Sequence, residues 1–256
     1  MPLLAVDVGN AHTVLGLIDG GAVSGDWRVA TLERRTADEW AVLLRGLLGR
    51  RLADVDGIAL GSTVPAVTRT AREMLARHFD AVPHVVLEPG VRTGLAMQMD
   101  NPREIGADRI ANSVALVDRF GGPAIAVDFG STATILDVVD PTGRYVGGCI
   151  SAGMEISLRA LGERGAQLRQ VEPARPRSVI AKNTVEALQS GLLFGVAAQV
   201  EGLVARMARE LGDPDDLRVV STGYLAPLVI EECACFTDHD PWLTLKGLEL
   251  VFRRNV

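Results

Sequence analysis

Two stretches of this chain carry the same pattern of apolar and polar positions. An apolar run from Leu3 to Val6 breaks at Asp7-Val8-Gly9 and resumes as a second apolar stretch ending at Asp19. Another run, Ala124 to Val127, breaks at Asp128-Phe129-Gly130 and resumes up to Asp140. Each pattern predicts strand, tight turn, strand, with Gly9 and Gly130 supplying the backbone freedom of the turn. Asp19-Gly20-Gly21 and Asp140-Pro141-Thr142-Gly143 mark the next turn of each copy, and a third strand follows. The stretches "AVDVGNAHTVLGLID" and "AVDFGSTATILDVVD" align without a gap, Asp7 matching Asp128 at an offset of 121 residues. One hairpin is written twice.

Helical periodicity follows each hairpin. Thr36-x-x-Glu39 is a capping-box pattern, and Trp40, Leu43, Leu44, Leu47 and Leu48 fall on one helical face. Gly57 to Pro65 reads as a buried strand running into a turn, Pro83 to Gly90 as another strand, and Gly106 to Phe120 as a helix with its polar end first. In the second half, Asn183-x-x-Glu186 caps a long amphipathic helix carrying Leu188, Leu192, Val196, Val200, Leu203, Met207 and Leu211, which Gly212-Asp213-Pro214 ends. Pro173 and Pro176, with Arg175 and Arg177, mark a loop before it, and Leu217 to Val229 reads as strand, glycine turn, helix. Gly121-Gly122-Pro123 is the breakpoint between halves, giving domains 1–120 and 121–256. The expected fold class is α/β: two domains of shared topology with a cleft between them.

Composition narrows the function classes. The chain has 256 residues, 48% hydrophobic and 23% charged, as in an ordinary globular protein. A net charge of −6 argues against non-specific binding of nucleic acid or of an anionic membrane. No apolar run approaches the roughly 20 residues that span a bilayer, and no basic leader with a long apolar region opens the chain, so the cytoplasm is expected. Cys149, Cys233 and Cys235 give neither a disulfide framework nor a zinc signature, and the four histidines are scattered.

The doubled turn has a chemical reading. A short turn exposes backbone N–H groups, and small residues let an anion approach them closely. Asn10 and Thr13 in one copy, and Ser131, Thr132 and Thr134 in the other, add side-chain donors. A carboxylate at each turn entrance, Asp7 or Asp128, can hold a cation that neutralises phosphate charge, directly or through water. Two such turns suit a polyphosphate. Neither a G-x-x-x-x-G-K-[ST] loop nor a G-x-G-x-x-G fingerprint is present as an alternative.

The chain resembles the acetate and sugar kinase, heat-shock chaperone and actin superfamily. Within it the chain is similar to type III pantothenate kinases, which phosphorylate pantothenate in the first step of coenzyme A synthesis. The resemblance runs nearly end to end. Its carriers are "DVGN" (Asp7 to Asn10), "EPGVRTG" (Glu88 to Gly94), "DNPREIGADR" (Asp100 to Arg109), "VDFGS" (Val127 to Ser131), "GGCISAG" (Gly147 to Gly153), "KNTVEALQSG" (Lys182 to Gly191) and "STGYLAP" (Ser221 to Pro227). It implies two ribonuclease H-like domains, the actin-like ATPase fold, with the active site in the cleft. By position it implies Asp108 as the general base acting on the pantothenate hydroxyl. Met99, Gly106, Ala107, Arg109 and Thr184 would be its neighbours around pantothenate. ATP is assigned to Asp7, Val8, Gly9, Asn10, Ala11, His12, Thr13 and Val14 in the first turn, and to Ser131 and Thr132 in the second. A monovalent cation, potassium or ammonium, is assigned to Asp128, and Mg²⁺ to Asp7, directly or through water. Gly147, Gly148 and Gly223 match glycine motifs near the nucleoside. A homodimer is also implied.

Four positions depart from the family pattern. Ala11 replaces a threonine, Met99 a tyrosine and Ala152 a proline, and the second turn reads one residue longer than the family's between Gly130 and Asp137. These departures leave open a catalytically weak or inactive nucleotide-binding paralogue that serves as a regulatory or accessory factor, and a kinase with another small hydroxylated acceptor.

Overall fold

The computed structural model describes residues 2–165 and 171–256. In chain order the elements are β1 (Leu3–Val8), β2 (His12–Asp19), β3 (Ala22–Ala30), α1 (Ala37–Leu48), β4 (Gly57–Ser62), α2 (Pro65–His78), β5 (His84–Leu87), β6 (Ala96–Met97) and α3 (Ala107–Phe120). They continue with β7 (Ala124–Phe129), β8 (Ala133–Val139), β9 (Arg144–Ala152), α4 (Met154–Arg164), α5 (Thr184–Glu210), β10 (Arg218–Thr222), α6 (Ala226–Val229), β11 (Asp238–His239) and α7 (Leu243–Arg253). Two compact units result. One comprises Met1–Ala96, Asp100–Ala115 and Trp242–Val256; the other comprises Met97–Met99 and Leu116–Pro241.

The two sheets repeat one topology. The first runs β3-β2-β1-β4-β5, and the second contains β9-β8-β7-β10-β11 in the corresponding order, with β6 added beside β9. In each, the first three strands form an antiparallel meander and the last two join in parallel. Register repeats as well. Asp7 pairs with Val14 and Val8 with Thr13; 121 residues on, Asp128 pairs with Ile135 and Phe129 with Thr134. Even the bulge repeats, between Leu17 and Ile18 in one meander and between Val138 and Val139 in the other. A one-residue slip would turn every side chain to the opposite face, so equal register means equal inside and outside. Both hairpins have the same length, so the second turn, one residue longer than the family's, fits this fold without breaking the hairpin.

Strand alternation divides the first sheet's side chains between two layers. Leu4, Val6, Leu15, Ile58 and Leu60 pack under α1 and α2, against Trp40, Leu44, Met74 and Leu75. Leu3, Ala5, Ile18 and Ala59 face the other way, against Ala107, Ala111 and Val114 of α3 and Leu245, Leu248, Val251 and Phe252 of α7. The predicted capping box of α1 is present, with the Thr36 amide 2.7 Å from Glu39 Oε2 and the Glu39 amide 3.3 Å from Thr36 Oγ1. In the second unit Ile125, Val127, Phe129 and Leu136 pack with Leu193, Val196, Ala197, Val200 and Val204 of α5. The Asn183 side chain caps α5 by accepting from the Glu186 amide at 2.9 Å.

The units depart from a simple cut after residue 120. α7, beyond the whole second unit in sequence, completes the first, because its apolar stripe is what covers the second face of β1 and β4. Gly57 marks the contact: a Cβ there would run into the Phe252 ring. α2 begins at Pro65, where the sequence reading ended in a turn and went no further; a proline looks like a breaker yet suits the first helical position. Among the described residues α5 is long and apolar enough to cross a membrane by length and composition, and part of its most apolar stretch is buried within the protein.

Phe252→Ala tests the role of α7. Emptying a ring-sized site costs about 3–5 kcal/mol, which for a chain of this size lowers the first unfolding midpoint on the order of 10 °C. Calorimetry showing an unchanged first transition would contradict this account of the packing.

Candidate active site

The first turn is closed from within, the Gly9 amide donating to the His12 carbonyl at 3.0 Å. Asn10 is exposed, Ala11 and His12 are half-buried, and Asp7 is half-buried at the end of β1 while Val8 is buried. Neighbouring segments hold the turn in place. The Thr31 amide donates to the Ala11 carbonyl at 2.9 Å, and the Thr63 amide to the Val8 carbonyl at 3.0 Å. Thr13, expected as an added donor at the turn, is instead fully buried in β2, its hydroxyl 2.9 Å from that of Thr31. Val14 follows it in β2, opposite Asp7. Both residues belong to the strand behind the turn, for the alternation that makes β2 a core strand draws the Thr13 hydroxyl inward.

Asp108 stands in the first turn of α3, where Gly106, Ala107 and Arg109 flank it. Its Oδ1 accepts from the Arg109 amide at 2.9 Å. The carboxylate folds back over Gly106, so that a Cβ on Gly106 would collide with Asp108 Oδ1 and lie 3.3 Å from Thr63 Cγ2. A side chain at position 106 would therefore have to displace the Asp108 carboxylate. Burial pushes the Asp108 carboxyl above the ordinary aspartate range, and the Arg109 amide and guanidinium pull it only partly back. A carboxylate that is costly to keep charged is a stronger proton acceptor than a solvated one.

The second turn closes in the same way, Gly130 amide to Ala133 carbonyl at 3.0 Å. The start of α4 clamps it: the Gly153 amide donates to Thr132 O at 2.9 Å and the Ile156 amide to Ser131 O at 3.2 Å. A Cβ on Gly153 would sit 2.5 Å from Ser131 O and 2.7 Å from the Ala133 amide nitrogen, so no other residue fits. Ser131 is buried and Thr132 half-buried. The loop after β10 abuts Asp128, where Gly223 has φ of +88° and a Cβ on it would collide with Asp128 Oδ1. Gly147 and Gly148 are elsewhere, inside β9, and a Cβ on Gly148 would strike the Leu136 carbonyl of the neighbouring strand. Met99 lies against Gly147, its sulfur 3.4 Å from where a Cβ would be. Thr184 is exposed in the first turn of α5, directly after the Asn183 cap.

Three residues beside these turns were not singled out from the sequence. Thr63 touches both the first turn and the Asp108 region, but in "GSTVP" it looked like turn filler. Glu155 and Tyr224 hydrogen-bond through Tyr224 Oη and Glu155 Oε1 at 2.6 Å. They stand near a cavity of about 620 Å³ in the second unit, whose walls include Glu155, Leu158, Val171, Pro173 and Leu225. No sequence signal joins positions so far apart. Among the described residues no group of three or more His, Cys, Asp or Glu side chains forms a metal cluster. A single carboxylate per ion, as at Asp7 or Asp128, instead suits cations that keep water and substrate oxygens as their other ligands.

A family model described as type III pantothenate kinase matches residues 3–206. The chain belongs to the type III pantothenate kinase family. A Nocardioides type III pantothenate kinase is 68% identical over the full length of both chains. One from Streptomyces griseus is 58% identical, covering 99% of this chain and 98% of the relative. Solved structures share the fold at low identity. The activator of 2-hydroxyisocaproyl-CoA dehydratase from Clostridium difficile, with bound ADPNP, has a TM-score of 0.55 at 11% identity, covering 100% of this chain and 96% of its own. A hexokinase of the ROK group from Thermus thermophilus has a TM-score of 0.52 at 16% identity, covering 98% of each. The two ribonuclease H-like units are thus those of the actin-like ATPase fold. As a member of the pantothenate kinase family the chain is an enzyme of coenzyme A biosynthesis that phosphorylates pantothenate with ATP, and nothing in the comparisons favours the inactive paralogue.

The raised proton affinity of Asp108 has a stability consequence with a definite sign. A carboxyl that prefers its proton in the folded state stabilises the fold at low pH and loses that contribution as pH rises through its folded-state value. Asp108→Asn is therefore expected to melt higher than the parent at pH 7, with the difference shrinking toward pH 4. Equal melting at both pH values would remove the desolvation argument.

Proposed function

We propose that Asp108 is the general base that accepts the proton of the pantothenate hydroxyl as the γ-phosphoryl group of ATP transfers to it. The observation that carries this reading is the half-buried, desolvated carboxylate at the start of α3, with Arg109 beside it. In-line phosphoryl transfer needs mainly positioning and charge neutralisation, and a carboxylate base suffices. Arg109, with Gly106 and Ala107 beside it, holds the pantothenate carboxylate, which a planar guanidinium matches in geometry. Met99 and Thr184 complete the substrate contacts.

The first turn, Asp7 to His12, with Thr13 and Val14 as the strand that backs it, serves the phosphates of ATP together with Ser131 and Thr132. Asp7 and Asp128 fit oxygen-bound cations: Mg²⁺ at Asp7, partly through water, and potassium or ammonium at Asp128. When bound, these ions neutralise phosphate charge. The cavity beside Tyr224 and Glu155 is the size of a nucleoside pocket and takes the adenosine. The enzyme works in the cytoplasm.

The protein acts as a homodimer through α5. Along the outside of this helix lie Thr184, Gly191, Gly195, Ala198 and Ala205, all exposed. A Cβ on Gly191 or Gly195 would meet nothing within 4 Å. Glycine costs a helix about 1 kcal/mol relative to alanine, so packing within one copy gives no reason for either. Val179 and Ile180, 63% and 82% exposed, extend this uncovered surface. A second copy packed closely on the small residues accounts for both.

Asp108→Asn should lower kcat by about 10²–10⁴-fold in an assay of phosphopantothenate formation with ATP, Mg²⁺ and potassium, while ATP still binds. Turnover at the parent rate would overturn the base assignment. Gly195→Arg, which also raises helix propensity, should halve the mass seen by light scattering without lowering the helical content. A persistent two-copy mass would place the interface elsewhere.

A further inference from the structure

We propose that Thr63 is a positioning residue that ties the first phosphate turn to the carboxylate of Asp108. The inference rests on the roles proposed above for Asp108 and for the turn. Thr63 follows β4, whose parallel pairing with β1 ends at Val8 opposite Ser62. Its amide continues that ladder to Val8 O at 3.0 Å, and its hydroxyl donates to the same carbonyl at 3.2 Å. A carbonyl has two lone pairs, and here one residue fills both.

The Val8 carbonyl and the Gly9 amide belong to one rigid peptide plane. Fixing the carbonyl on Thr63 therefore also aims the Gly9 amide, which donates to His12 O and closes the turn. On its other branch Thr63 presents Cγ2 to Gly106, 3.3 Å from the position a Cβ would occupy there, on the side where the Asp108 carboxylate folds back. A β-branched side chain is stiff about χ1. The rotamer that puts the hydroxyl on Val8 thereby also puts the methyl on Gly106. Thr63 is itself held: Ser62 Oγ donates to Val64 O at 3.2 Å and accepts from the Val64 amide at 3.1 Å, and Pro65 then opens α2.

The two branches can be separated. Thr63→Val keeps the shape and the methyl but loses the hydroxyl. It should raise the KM for ATP about fivefold, the scale of one lost hydrogen bond, with the KM for pantothenate within about twofold of the parent. Thr63→Ser keeps the hydroxyl and loses the methyl. It should restore the ATP KM yet lower kcat about threefold, because the carboxylate is less well placed. Melting temperatures of both variants show that each is folded under assay conditions. A purely structural role predicts lower melting with unchanged constants, or equal changes in both variants, and either result overturns the proposal. Failure of the base assignment reads out separately, as parent turnover in Asp108→Asn alongside an intact effect of Thr63→Val on ATP.

Discussion

Each half of this protein depends on one short backbone hydrogen bond, from the glycine amide of a D-x-G turn to the carbonyl three residues later. Because the bond lies inside the turn, the shape of the turn is set by the chain itself. What surrounds it then differs. In the first unit Thr31 and Thr63 hold the turn from two sides; in the second the start of α4 and the Gly223 loop do so. The same turn is thus placed in unlike company while its register stays identical.

Much of this was readable in the sequence, and the reasons are local. Turn chemistry and alternation gave both meanders, because a two-residue period and a glycine break are short-range signals. Thr36 and Asn183 announced their helices for the same reason. The failures are long-range. Nothing around Trp242 says that its helix covers strands from the first quarter of the chain, and nothing in "GSTVP" says that Thr63 will lie against both Val8 and Gly106. The equal length of the two hairpins was legible from the gap-free match of the two stretches, and the pairing register agrees with it. The roles of Asp108 and Thr184 came from family likeness; the structure adds the physical condition of each, one desolvated and one exposed.

Glycine carries a second kind of information in this chain. Gly106, Gly148, Gly153 and Gly223 are places where a single carbon would collide with a carboxylate or a backbone atom. Gly191 and Gly195 are the reverse, since a carbon there would meet nothing. The first group is explained by contacts inside a unit, and the second asks for a surface outside it. Asp108 adds the complementary case of a polar group whose burial opposes stability, as sites for chemistry commonly do.

The return of α7 bears on how the chain comes to be made. Synthesis runs from the amino end, and α7 emerges only after every strand of the second sheet. Until then Leu3, Ala5, Ile18 and Ala59 lack the Leu245, Leu248 and Phe252 that cover them. The second unit, drawn almost wholly from a continuous stretch, has no such wait. The half synthesised first is therefore the half sealed last, and its uncovered sheet face is the stretch of nascent chain most exposed to wrong partners.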